Sequence, residues 1–241
     1  MSNALLVARR ELSAYLSSFL GFIVLAAVLL VEGIYFNAVD LGATPRLSSD
    51  VLRSFFYTVS GGTMVLAIVL AMRPLAGERE QGTLVLLNTA PIRDTEIVGG
   101  KFAAALALIA LHLALTVHMP LLIAVNGKVT LGQVLVGYLG VLLLGAAALA
   151  IGLFGSALAK SQVIAVVLGT VILLPLLFLW AVARVTDPPL NAFLSAAAIH
   201  HERQRAFETG VLKLENVVYY VGIAYFFLLA ATKTLEARRW R

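Results

Sequence analysis

The chain has 241 residues, of which 61% are hydrophobic and only 13% charged, and its mean hydropathy is +0.95. A soluble domain is about 25% charged, so this composition excludes a water-soluble fold and points to a bilayer. The absence of cysteine excludes disulfides, thiolate metal sites and cysteine nucleophiles, and the net charge of +5 sits beside apolar segments, the membrane pattern rather than a nucleic-acid footprint.

Every polar stretch is too short to bury a core of its own, so residues 1–241 read as a single transmembrane domain. Residues 2–16 have a helical period. Leu5, Leu6, Leu12 and Leu16 can share one face, while Arg9, Arg10 and Glu11 point elsewhere. That suits a helix lying in the membrane interface. The apolar run that follows is too long for a secretory signal and lacks a small-residue cleavage pattern.

Six segments approach the ~20 residues needed to cross hydrocarbon. They are roughly 17–37, 54–74, 95–125, 130–158, 162–184 and 214–235. The third and fourth exceed that length and should tilt or project. Pro120 should kink the third and Pro175 the fifth.

An even number of spans puts both termini on one side. That side holds Arg9, Arg10, Arg73, Arg79, Arg93, Lys101, Lys160, Lys233, Arg238, Arg239 and Arg241. The other holds Arg46, Arg53, Lys128, Arg184, Arg203, Arg205 and Lys213. The positive-inside rule therefore predicts cytoplasmic termini. On the outer side, residues 38–53 read as a polar loop. Residues 185–213 begin Thr-Asp-Pro-Pro and continue as a short amphipathic helix capping the outer mouth.

Between the second and third segments lies Arg73 to Arg93, short, charged and amphipathic. A helix from about Leu75 to Asn88 would set Arg79 and Thr83 one turn apart and put Leu84 and Leu87 together on an apolar side, before Pro91 stops it. One reading is a coupling helix, whose charges engage a soluble partner while its apolar side packs on the ends of the spans. The other is an ordinary interfacial loop helix.

This stretch resembles the cytoplasmic loop of ABC-2-type permeases, especially the gliding-motility GldF-like and nitrous-oxide-maturation NosY-like branch. The residues that carry the resemblance are Glu78, Arg79, Glu80, Gly82, Thr83, Leu84, Leu86, Leu87, Pro91, Glu96 and Lys101. The start, Arg10-Glu11-Leu12 with Tyr15-Leu16, is similar too. So is the end, with His200, Phe207, Gly210-Val211, Val217 to Tyr220 and Leu235 to Trp240. His201 stands where the family often has phenylalanine.

The resemblance implies an all-α, six-span permease like a type V ABC exporter, in the bacterial inner membrane. It would pair with a second permease copy, identical or homologous, and with two ABC ATP-binding subunits that carry the ATP and Mg. A third accessory subunit would be compatible. Glu78, Arg79, Glu80, Gln81, Gly82, Thr83, Leu84 and Leu87 would then contact the ATPase.

The chain itself carries no phosphate-binding loop. Gly99-Gly100-Lys101 comes nearest, but Thr95 and Phe102 stand at required glycine and hydroxyl positions. His201-Glu202 opens like a zinc-protease motif, but Arg205 replaces the second histidine. His112 and His118 are six residues apart, so about 600° of helix separates them, and a hydrogen bond to a neighbouring helix suits them better than a metal.

Glu32 is the one acid deep in a span. It reads either as a pathway or gating residue, paired with Arg53 or Arg184, or as a side chain that snorkels to the outer interface. Ala148, Gly152 and Ser156 recur every four residues as a close-packing stripe, between copies or within one, and Gly61-Gly62-Thr63 can act likewise.

The sequence thus predicts a non-catalytic permease subunit that couples a partner's ATP hydrolysis to export or extrusion. The alternative is an ATP-driven transmitter acting on a periplasmic or motility machine. An intramembrane enzyme would need converging His, Asp or Glu in the spans, which the chain lacks.

Overall fold

In hydrocarbon a backbone must satisfy its own hydrogen bonds, and an apolar chain does so as helices. The structure, a computed structural model, describes residues 3–42, 46–83 and 92–239. Among these every regular element is helical, and six helices are long and apolar enough to cross a membrane. They are Gly21–Leu41, Ser48–Glu80, Asp94–Val125, Leu131–Leu158, Gln162–Ala183 and Leu214–Arg238, termed here the first to sixth spans. The protein is therefore a multi-pass, all-α membrane protein.

The second and fourth spans form the centre of the bundle, and the first, fifth and sixth lie at its periphery. Small residues of the fourth span let its neighbours close in. Gly137 faces the Phe56 ring, Gly145 faces Thr63, and Gly152 faces Ala71, in each case closer than any Cβ would allow. Ala148, Gly152 and Ser156 are all fully buried, so the stripe packs within the chain. Phe55, Phe56 and Tyr138 fill the wider side of the same seam with edge-to-face contacts.

Several boundaries depart from the sequence reading. The second span begins at Ser48 and runs through Pro74 to Glu80. The expected polar loop at 38–53 is thereby shortened. Asp40 lies in a widened helical turn, Phe36–Leu41, and is buried, where it accepts a hydrogen bond from Ser54. The third span breaks at Val117, into Asp94–Thr116 and His118–Asn126. Pro120 has no N–H for the Thr116 carbonyl, which is the expected defect. Pro175, by contrast, sits inside an unbroken helix. The outer segment is two short helices, Leu190–Ala197 and His201–Glu208, rather than one. Gly210 at φ +80° ends the second of them.

The amino-terminal helix, Asn3–Leu16, lies across the start of the third span. Gly100 permits this: a Cβ there would come within 2.6 Å of the Ala4 carbonyl oxygen. The face it buries is not the leucine face. Val7 and Tyr15 are buried and Glu11 points inward beside them, one helical turn apart, while Leu5, Leu6 and Leu16 are exposed.

Candidate functional site

The bundle end that carries both termini holds the densest set of charges. Pro74 lacks an N–H, so the Leu70 carbonyl one turn back loses its usual helical donor, and the Tyr15 hydroxyl donates to it at 2.9 Å. The helix widens over Arg73–Gly77. Ser156 enters this widened turn, accepting from the Ala76 N–H at 2.9 Å and donating to the Met72 carbonyl at 3.3 Å. The Ser156 position of the small-residue stripe is thus a hydrogen-bonding post as well as a gap.

One turn on, the helix reaches Glu78, Arg79 and Glu80 and then stops. Gly82 has φ +72°, its N–H bonds the Arg79 carbonyl, and the Thr83 N–H bonds the Glu78 carbonyl. This paired closure is a Schellman end, which needs a residue in the left-handed region and so favours glycine. The expected single helix from Leu75 to Asn88 is therefore interrupted at Gly82, and Arg79 and Thr83 are not stacked on consecutive turns. Leu84 and Leu87, with Leu86, Asn88 and Pro91, lie outside the described residues.

The sequence reading turned the three charges toward a partner, but within this chain they bind inward. Glu78 Oε1 meets Lys101 Nζ at 2.8 Å and an Arg10 guanidinium nitrogen at 2.9 Å. Lys101 also holds Glu11 Oε1 at 2.9 Å, and its side chain is fully buried. Arg79 donates to the carbonyls of Ala157 and Ala159, and Arg238 donates to that of Leu158. These are the orphan carbonyls that end the fourth span. Glu80 accepts from the N–H and side-chain amide of Gln162, at the start of the fifth span, each at 3.3 Å. At the third span's start, Glu96 accepts from the Arg93 N–H at 3.0 Å and from Asn3 at 3.3 Å. Within the chain, Glu80, Gln81 and Gly82 remain exposed, and Gln81 lines a cleft of 490 Å³ with Arg10, Tyr15, Arg73, Glu78 and Gln162. Arg9 is exposed as well.

One short joint therefore ties the end of the second span to the amino-terminal helix and to the ends of the third, fourth and fifth spans. The ABC-2 family transporter protein model matches residues 56–231, well over half of the chain and including Glu78 to Glu80 and Lys101 of this joint. The chain belongs to the ABC-2 family of transporter proteins. No curated protein was found to match it. Membership makes it the membrane-embedded permease component of an ABC transporter, a complex that includes an ATP-binding partner.

Deeper in the permease, Glu32 is 2% exposed and packs inside the bundle. Its neighbour is His112 Nε2 at 3.3 Å, without hydrogen-bond geometry, rather than Arg53 or Arg184. Arg53 instead meets Glu208 at 3.7 Å, and Arg184 lies over Trp180 beside His201. His118 bonds the Leu115 carbonyl. Gly62 provides the space that the Glu32 carboxyl occupies, whereas Gly61 meets nothing nearby.

At the opposite end of the permease, the two outer helices are fastened down. Tyr219 and Tyr220 donate to the carbonyls of Ala197 and Ile199, and the Ile199 N–H bonds the Leu176 carbonyl. His200 is buried against Ser60, at 2.8 Å, and burial lowers its pKa to about 4. Burial raises that of Glu208 to about 7, although Arg53 and Arg205 pull it down.

Sequence reasoning missed Lys101 as the hub of the joint. The signal was present: it is an ammonium seven residues inside an apolar span, where an unpaired charge is costly.

Proposed function

We propose that this permease couples ATP hydrolysis by two copies of a separate ABC ATP-binding subunit to export or extrusion of a substrate across the bacterial inner membrane. Its termini and the 81–93 connection face the cytoplasm, and a second permease copy, identical or homologous, completes the complex. It falls in the GldF-like and NosY-like branch that its motifs resemble. The observation that supports this reading is the joint at Glu78 to Glu80. Displacement of the exposed Gln81-Gly82 corner is passed at once to four other helix ends. Glu78, Arg79 and Glu80 act in it as transmitters of a push received on the following residues.

The test is Glu78→Ala with Glu80→Ala in the full complex. The variant should co-purify with the ATPase in normal amount, while substrate-stimulated hydrolysis falls severalfold or more. Unchanged stimulation sinks the coupling role. Loss of the ATPase from the complex would instead make these acids the contact itself. Purification of the permease without any ABC ATPase would overturn the ATP-coupled reading altogether.

A further inference from the structure

Between the first and second spans, midway along the bundle, is a recess of 270 Å³. Val28, Val31, Tyr35 and Val65 wall it, and Glu32 and Thr58 lie at its floor. It opens sideways on the apolar flank of the bundle: Val31 is 63% and Val65 61% exposed, and Tyr35 is exposed beside them. The floor is the opposite. Glu32 is buried, and neither of its oxygens has a hydrogen-bond partner, nor does the buried Thr58 hydroxyl. His112 approaches from the far side, but neither of its ring nitrogens is hydrogen-bonded. No Lys or Arg among the described residues pairs with Glu32.

Gly62 shows that the carboxyl has been given this position. A Cβ at residue 62 would lie 2.1 Å from Glu32 Oε1. The backbone is bare there, and the acid occupies the gap.

A carboxyl at hydrocarbon depth is costly unless it meets a cation or hydrogen-bond donors. This recess supplies one hydroxyl, one aromatic face and aliphatic walls. A bare metal cation would need several oxygen ligands, which the walls do not provide. An anion would be repelled. A neutral hydrocarbon chain would fill the walls and leave both carboxyl oxygens without a hydrogen bond or a Lys or Arg counter-charge. The lateral opening also requires that the ligand travel through the acyl-chain region, so it must itself be hydrophobic. We propose that the recess binds a hydrophobic ammonium ion, with Glu32 as its counter-ion, Thr58 beside it and the Tyr35 ring against the cation. Aromatic contact is a common way to hold such cations. This site stands apart from the ATP-coupled reading, because it needs only the permease.

The test uses the full-length permease in phosphatidylcholine nanodiscs, with benzyltrimethylammonium as the probe and neopentylbenzene as its uncharged isostere. Calorimetry should show saturable binding of the cation to the wild type. Glu32→Gln should weaken that binding at least tenfold and leave any uptake of neopentylbenzene unchanged. Val31→Trp fills the mouth from an exposed wall position and leaves the core alone, so it should abolish cation binding even if Glu32→Gln fails to fold. Absence of saturable binding to the wild type, equal binding by Glu32→Gln, full binding by Val31→Trp, or equal affinity for the neutral isostere would each overturn the proposal.

Discussion

Lys101 holds Glu78 at 2.8 Å, and its own side chain is completely buried. The same ammonium meets Glu11 at 2.9 Å, and Arg10 bridges back to both acids. Three segments distant in sequence therefore converge on one nitrogen, with two acids matched by two bases. Replacing a buried charge cluster by apolar groups can be neutral, but removing one member leaves uncompensated charge. The cluster is thus satisfied in one relative position of the three helix ends and penalised in others, the behaviour expected of a latch.

Lys101→Met should consequently be strongly destabilising, by about 3–5 kcal/mol, since only the largely exposed Arg10 would remain to balance Glu11 and Glu78. Adding Glu78→Gln to Lys101→Met should recover part of the loss. A double-mutant cycle on thermal unfolding in detergent checks this. Simple additivity of the two substitutions would mean that the pair is not coupled.

Tyr15→Phe tests the repair of the proline defect. The substitution removes the hydroxyl that serves the buried Leu70 carbonyl and should cost about 1–3 kcal/mol. With Pro74→Ala the backbone regains an N–H, so the further loss from Tyr15→Phe should shrink. An undiminished loss in the Pro74→Ala background would show that the hydroxyl does not serve that carbonyl.

Much of the fold was legible because hydropathy over ~20 residues is a strong signal and all six spans follow from it, while the amino-terminal helix follows from its helical period. What the pattern could not carry was the direction of individual charges. Glu11 lies on the face with Val7 and Tyr15, so it points inward although its neighbours Arg9 and Arg10 are exposed. Glu78 to Glu80 look like a solvated cluster until the helix ends that they cap are brought beside them. The stop at Gly82 was readable, since glycine after a charged turn is a common helix end. The leucine run that follows argued for continuation and hid it. The Glu32–His112 proximity joins residues 80 apart in sequence, and neither helix announces its partner.

Gly62→Ala probes the floor of the first–second span seam. Its methyl group would meet Glu32 Oε1 at 2.1 Å and force the carboxyl out of its place. Overpacking of this kind costs about 1–3 kcal/mol. Glu32→Ala in the same chain removes the obstructing atoms and should restore most of the melting temperature lost. If Gly62→Ala is equally damaging with and without Glu32, the damage comes from another contact.

The opposite end of the bundle should respond to pH through two groups of contrary sign. Glu208 has its pKa raised from 4.5 to about 7, chiefly by burial, against the pull of Arg53 and Arg205. The native state therefore binds the proton more tightly. Stability from this group is full below about pH 4.5 and declines as pH rises to about 7. His200 is lowered from 6.5 to about 4 by burial, so its contribution is lost as pH falls through that window. The two oppose each other between about pH 4.5 and 6.5, and only Glu208 still changes above that. The clean readout is then a difference. Glu208→Gln cannot ionise, and relative to wild type it should gain stability progressively from pH 4.5 to 7, by a few kcal/mol at most, and gain no more above pH 7. Paired melting curves across pH 4.5–8.5 measure it. A difference independent of pH would mean that Glu208 keeps an ordinary carboxylate pKa beside Arg53.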